Sequence, residues 1–441
     1  MGARVNPRWV LEQESRALLT RLDRLDYFAV IEPMVAAAAP SAAARIAVER
    51  YLVEGRRALR RVVKRQLRRL KESGPPVPAA DLMQRNFVLL RLHFNAMLAD
   101  FDTFADVFTQ RSETNFGVWM AGLDVAATDA LRLRAEGVEF PPVICYLDRG
   151  HGAAIRRART RLATGRPNPV AVVRVPRERM IGSGIASSLF HEVGHQGAAV
   201  LGLIPSLRRL LHARQIVAGT GRLPWVMYER WISEIVADFW SVARLGIGAT
   251  LGLMGVVSLP RAFVFRTHLE DPHPVPWIRL LLSCAMGQEL YPDEQWEKLA
   301  GLWIEFFPTD GLAPEQREFF DQLLSTMPEF VRMLAEHRPA PLGGRTLREA
   351  LETEGRGPEE LKRTYGEWRG APRAMFAARP TLAFAVLGQA RASGLLTPEA
   401  ESKAVQALLR AWALRRSFGE GDGKQGCKCR AGRRCGQNEI A

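Results

Sequence analysis

Apolar positions recur at helical spacing along most of the chain and at strand spacing in two short places. Residues 1–138 read as helices in Ala-, Leu- and Arg-rich runs, with a break at Gly74-Pro75-Pro76-Val77-Pro78, where proline fixes φ and removes backbone donors. Two β-branched stretches, Pro142–Leu147 and Pro169–Pro176, predict strands. A mostly apolar run at 185–201 and a longer one at 225–245 predict buried helices. Ser183, between two glycines, is the expected N-cap of the first. Residues 301–416 return to helical periodicity, broken near Pro308, Pro314, Pro339, Pro341 and Gly343-Gly344. The expected fold is therefore α+β and predominantly helical. It divides into a helical region 1–138, a core 139–300 holding the small sheet, a helical region 301–416, and a Gly- and Cys-rich tail 417–441 read as disordered. The segment Leu245–Leu259 is Gly-rich and bracketed by Arg244 and Arg261. It is shorter than the roughly 20 apolar residues of a membrane span, so it reads as a buried segment near the site, and no transmembrane segment is expected.

Composition adds limits. A chain of 441 residues with 47% hydrophobic content can bury a large core. Its first residues lack the apolar run of a signal peptide, and five cysteines do not describe a disulfide scaffold. The expectation is a cytoplasmic protein, with peripheral membrane association left open. Net charge is +14, much of it in a basic amphipathic helix at 55–72. Arginine pairs there alternate with apolar pairs. Such a face is either a solvated surface or a contact for an anionic partner, whether nucleic acid, membrane or acidic protein. No aromatics interleave it as a stacking platform needs. Only seven of the 61 basic residues are lysine, which points to a general arginine bias. In the tail, Cys427, Cys429 and Cys435 supply three thiols where a closed zinc site takes four ligands; a modified or self-processed tail and a terminus without function stay equally open. Cys145 and Cys284 read as core residues.

The chemistry-bearing stretch is Leu189-Phe190-His191-Glu192-Val193-Gly194-His195. Its two histidines, four apart, share one face of a helix and can bind one tetrahedral Zn²⁺. Glu192 sits beside the first, where a carboxylate reaches water activated by the metal without being a ligand. So apolar a helix is buried, and a His-Glu-His cluster inside it needs partners or a metal. Gly194 suggests close approach of another backbone or of the metal. A third ligand must come from elsewhere. The 225–245 helix offers Glu234, with Asp238 one turn on to orient a ligand histidine, His191 in the first place. Glu229 competes but reads better as a solvated first-turn residue.

His-Glu-x-x-His followed by Glu-x-x-Ala-Asp resembles the gluzincin metallopeptidases, and over residues 169–282 the chain is similar to the CAAX prenyl endopeptidase and heat-shock membrane protease family. That family carries a downstream His-Pro…Arg element, matched here by Asp271-Pro272-His273-Pro274-Val275-Pro276-Trp277-Ile278-Arg279. The resemblance implies a zincin-like core with a sheet edge for an extended peptide. It also implies that His273 and Arg279 stabilise the oxyanion or grip the substrate backbone. Tyr228 is a weaker candidate donor. Family members are usually membrane-anchored, and this chain departs from them there. The expected protein is a zinc metalloendopeptidase acting on an intracellular protein or peptide, with metal ligands His191, His195 and Glu234 and Glu192 as general base. Alternatives are a non-catalytic, zinc-stabilised interaction protein and a nucleic-acid- or membrane-binding module acting through 55–72.

Overall fold

The computed structural model describes residues 6–24, 33–72, 79–148, 153–176, 182–268 and 270–419. The break at 74–78 and the tail cysteines Cys427, Cys429 and Cys435 lie outside them. The chain is mostly helical around one small sheet. Helices α1 (Pro7–Arg24), α2 (Ala42–Glu72) and α3 (Ala80–Thr109) come first, then α4 (Thr114–Leu131). Strands β1 (Val143–Asp148), β2 (Ala154–Arg156) and β3 (Ala171–Pro176) follow. Next are α5 (Ser183–Leu201), α6 (Leu203–Ala218), α7 (Leu223–Leu245), α8 (Ile247–Val257), α9 (Arg261–Val264) and α10 (Pro276–Leu290). The remainder is α11 (Glu294–Phe306), α12 (Pro314–Ala335), α13 (Leu347–Ala350), α14 (Pro358–Gly370), α15 (Pro372–Ala377), α16 (Pro380–Ala392) and α17 (Pro398–Ser417).

The sheet runs β1-β3-β2, with β1 parallel and β2 antiparallel to β3. Side chains alternate across a strand, and both faces are covered. Ile144 and Val172 join the core of α1–α3, while Cys145, Leu147, Val173 and Val175 join the core built by α4, α5 and the later helices. Two of the strands were legible from their β-branched runs. The short β2, with no such run, was not.

The outer edge of β1 is closed by side chains. Gln110 Nε2 donates to the Leu147 carbonyl (2.7 Å) and its Oε1 accepts the Leu147 N–H (2.9 Å). Asp124 accepts the Cys145 N–H (2.7 Å), and Arg111 donates to the Cys145 carbonyl (2.6 Å). Arg111 and Asp124 form a bidentate pair at 3.0 and 3.1 Å, both almost fully buried.

Helix α5 runs through the centre of the molecule, against α4, α7, α8 and the sheet. Its entry differs from the expectation. The residue before the first turn is Gly182, not Ser183, and its φ of 64° is one that glycine adopts without strain. Along α5, Gly194 meets the α7 backbone: a Cβ there would lie 2.9 Å from Ala237 Cα and 2.9 Å from Trp240 Cβ. Gly197 faces the Trp240 ring in the same way. Helix α8, eleven residues long, packs on α5 and α10, burying Ile247–Thr250, Leu253 and Val257, while Gly255, Ser258 and Leu259 are exposed. Among the described residues no helix is long and apolar enough to cross a membrane. Cys145 and Cys284 are buried free thiols. Helix α2 exposes Arg57, Arg61, Lys64, Arg65 and Arg68 along one face, while Arg60 pairs with Asp23 of α1.

Breaking a buried pair strands the remaining charge, which costs about 3–5 kcal/mol. Asp124→Ala should lower unfolding stability by roughly that amount, read from the urea midpoint at constant slope. A loss below about 1 kcal/mol, the range of an exposed pair, would show that the Arg111–Asp124 clamp does not hold β1 in place.

Candidate metal centre

Ala186, Leu189, Phe190 and Val193 bury one side of α5 completely, which turns His191 and His195 towards α7. Their rings lie 4.9 Å apart and nearly perpendicular. Opposite them, α7 presents Glu234. His191 Nε2 is 3.3 Å from Glu234 Oε2, and His195 Nε2 is 3.4 Å from Glu234 Oε1. One donor atom from each of the three residues falls within 4.8 Å of the others. A tetrahedron with metal bonds of about 2.0–2.1 Å has edges of about 3.3–3.4 Å. Each His–Glu separation, taken to a different Glu234 oxygen, is of that size, and the trio could hold a metal ion.

The other ring nitrogens are occupied, which fixes the orientation of both imidazoles. His191 Nδ1 lies 2.7 Å from Asp238 Oδ1, and His195 Nδ1 lies 3.4 Å from Ser233 Oγ. Both Nε2 atoms are thus left for a ligand. Behind Asp238 sits Arg279, whose Nε and Nη2 donate to the two Asp238 oxygens at 2.7 and 2.9 Å. Its Nη2 also reaches Glu234 Oε2 at 3.4 Å. These bonds hold Arg279 to the carboxylates behind the trio. His273 stands on the open side, with Nε2 3.7 Å from Glu234 Oε2. Asp271 Oδ1 accepts both the backbone N–H of His273 and its ring Nδ1–H, each at 2.9 Å. That bond turns Nδ1–H towards Asp271 and leaves Nε2 facing the cleft.

Charge is distributed unevenly. Burial opposes charge on His191, but Asp238 and Glu234 outweigh it and lift the imidazolium to about 9. Burial, with the charge on His191, brings His195 down to about 4. Burial works against the Glu234 carboxylate, yet its histidine and arginine neighbours hold it at about 2. Asp238, also opposed by burial, is kept well below the usual carboxylate range by Arg279 and His191. Glu192 moves the other way: burial raises it above the ordinary glutamate value.

All these groups line one cleft of about 500 Å³. Val242, Ala249, Leu253 and Val256 form its apolar side, and Ala153–Ile155 of β2 border the opposite one. The structure therefore brings together His191, Glu192, His195, Glu234, Asp238, His273 and Arg279. Glu229 is elsewhere, accepting from Gln215 Nε2 at 2.6 Å. Tyr228 packs against α12, stacked on Phe330 and donating to the Leu323 carbonyl. Sequence reasoning missed three contributors: Ser233, Asp271 and β2. Asp271 carried a readable signal, since an Asp two residues before its partner commonly bonds the backbone there.

No family model, curated protein or solved structure matches the chain. What the site does has to be read from this geometry.

Two outcomes test it. Removing the orienting carboxylate in Asp238→Ala should weaken zinc affinity by about 10–100-fold, measured by competition with a chelating dye, while the fold persists. Asp238 and Glu234 raise the proton affinity of His191, which must be neutral to ligate. The share of the protons released on metal binding that comes from His191, taken as the difference between wild type and His191→Ala, should fall as pH rises through about 9. Calorimetry in buffers of different ionisation enthalpy reads that number directly.

Proposed function

We propose that this chain is a zinc-dependent metalloendopeptidase acting on protein or peptide substrates. The observation that carries the reading is the convergence of His191 Nε2, His195 Nε2 and the Glu234 carboxylate, with a second glutamate, Glu192, buried in the same cleft yet outside the trio. A structural zinc site is closed by four protein ligands, whereas a catalytic one keeps three and an open position. Two imidazoles and one carboxylate are a donor set found in catalytic zinc sites.

Zn²⁺ in this position would polarise the scissile carbonyl and make the attacking water acidic near neutral pH. Glu192, with its raised proton affinity, takes the proton from that water and passes it to the leaving amine. His273, oriented by Asp271, directs Nε2 towards the open side, where as the imidazolium, with both ring nitrogens protonated, it would donate to the carbonyl oxygen that gains charge. Arg279 acts through others. Its two bonds to Asp238 hold the carboxylate that orients His191, so it is a positioning residue rather than an oxyanion donor.

The sheet supports an extended substrate. Side chains of Gln110, Arg111 and Asp124 already satisfy the outer edge of β1. The other edge strand, β2, runs along the cleft. A peptide added there gains backbone hydrogen bonds largely independent of its sequence.

Glu192→Gln keeps the side-chain shape but cannot take a proton. The variant should retain stoichiometric zinc and cleave a proteome-derived peptide library at least about 10²-fold more slowly than wild type. Equal cleavage would remove Glu192 from the mechanism. A zinc-loaded wild type that cleaves nothing in the library would refute the peptidase reading.

A further inference from the structure

Arg157 follows β2 directly and lines the cleft beside the histidines. It is half-buried, and its guanidinium has no carboxylate and no hydrogen-bond acceptor among the described residues. Arg279, the other guanidinium of the cleft, differs sharply, with three such bonds to Asp238 and Glu234. A guanidinium that reaches the cleft with no protein partner is placed to take a carboxylate there through charge-assisted hydrogen bonds.

The position of Arg157 is closely fixed. Asn168, itself buried, donates from Nδ2 to the carbonyls of Arg156 and Arg157 at 3.3 Å each. The Ala158 N–H donates to Gln196 Oε1 at 2.8 Å. Gln196 is buried and adjoins His195 on α5. The backbone carrying Arg157 is thereby tied to the helix that carries the histidines. Beyond it the chain turns at Arg159, which has a φ of 67°. From Ala153 to Pro167 there are five arginines and no Asp or Glu. Arg156, Arg159 and Arg161 are exposed and likewise without an ion-pair partner among the described residues. The edge along which a peptide would lie is thus cationic beside an acidic metal centre.

We propose that Arg157 binds a carboxylate of the peptide laid along β2, so that the site selects acidic segments. This rests on the peptidase reading above. The carboxylate can be an Asp or Glu side chain or the free C-terminus of the substrate.

The test uses the full chain, zinc-loaded, as Glu192→Gln so that peptides bind without turnover. Three fluorescein-labelled decapeptides serve as probes: Glu/Ala with an amidated C-terminus, its Gln/Ala counterpart, and the Gln/Ala peptide with a free C-terminus. A charge-assisted contact predicts that the Glu/Ala peptide binds roughly 10–100-fold tighter than its Gln/Ala counterpart in fluorescence anisotropy. Added Arg157→Gln should abolish that difference with zinc content and melting temperature unchanged, and added Arg157→Glu should favour a Lys/Ala peptide. Arg57→Gln, on the basic face of α2, should leave the preference intact. If only the free-acid Gln/Ala peptide gains affinity through Arg157, the site holds the substrate C-terminus. A preference for Glu/Ala that survives Arg157→Gln overturns the proposal. Hydrolysis assays on wild type separate the two readings. Turnover without acidic preference, equal in Arg157→Gln, sinks the carboxylate site and leaves the peptidase. Arg157-dependent binding without turnover of any peptide sinks the peptidase and leaves the carboxylate site.

Discussion

The close approach of α5 to α7 is the constraint on which the site depends. Gly194 and Gly197 leave no side chain between the helices, so Ala237 and Trp240 sit directly against the α5 backbone. At that separation Glu234, one helical turn before Asp238, faces both imidazoles at once. A helix pair held further apart by side chains would leave Glu234 short of the histidines, and the three donors would not converge. Two glycines in the middle of a helix each forfeit about 1 kcal/mol of helix propensity. Burial of Leu189, Phe190, Val193 and Trp240 in the core around the two helices offsets that cost.

Charge is layered outward from this contact. Arg279 neutralises Asp238 in the interior, Asp238 orients His191, and His191 with His195 faces Glu234 across the cleft. Each buried charge thus has an opposite neighbour, as burial requires. Glu192 is left facing the cleft with its proton affinity raised by burial and by the neighbouring Glu234 charge. The order matters because low dielectric makes every unmatched charge expensive; a partner that solvent would make dispensable at the surface is required here.

The sheet contributes through asymmetry rather than size. On β1 the outward backbone groups of Cys145 and Leu147 are already bonded to Gln110, Arg111 and Asp124. Helices cover both faces. The strand beside the histidines is β2, the other edge of the sheet, while side chains close the far edge, where a free one would invite aggregation.

Much of this was legible in the chain itself, because it follows from local periodicity. The predominance of helix, the strands at 143–148 and 171–176, and the shared face of His191 and His195 all come from spacings within one element. The same rule separates the glutamates of α7. Five residues turn a helix by about 140° beyond a full turn, so Glu229 and Glu234 cannot face the same neighbour, while Asp238 follows Glu234 on one face. Which of the two faces meets α5 was not decided locally. It depends on the glycines of α5, far off in sequence. The use of Arg279 on Asp238, the placing of His273 by Asp271, and the solitary Arg157 were likewise invisible. In a chain with 61 basic residues an arginine carries no mark of its partner. Periodicity is a property of consecutive residues and survives in the sequence. The pairing of a charge is set by whichever element the folded chain lays beside it, and only the tertiary structure decides that.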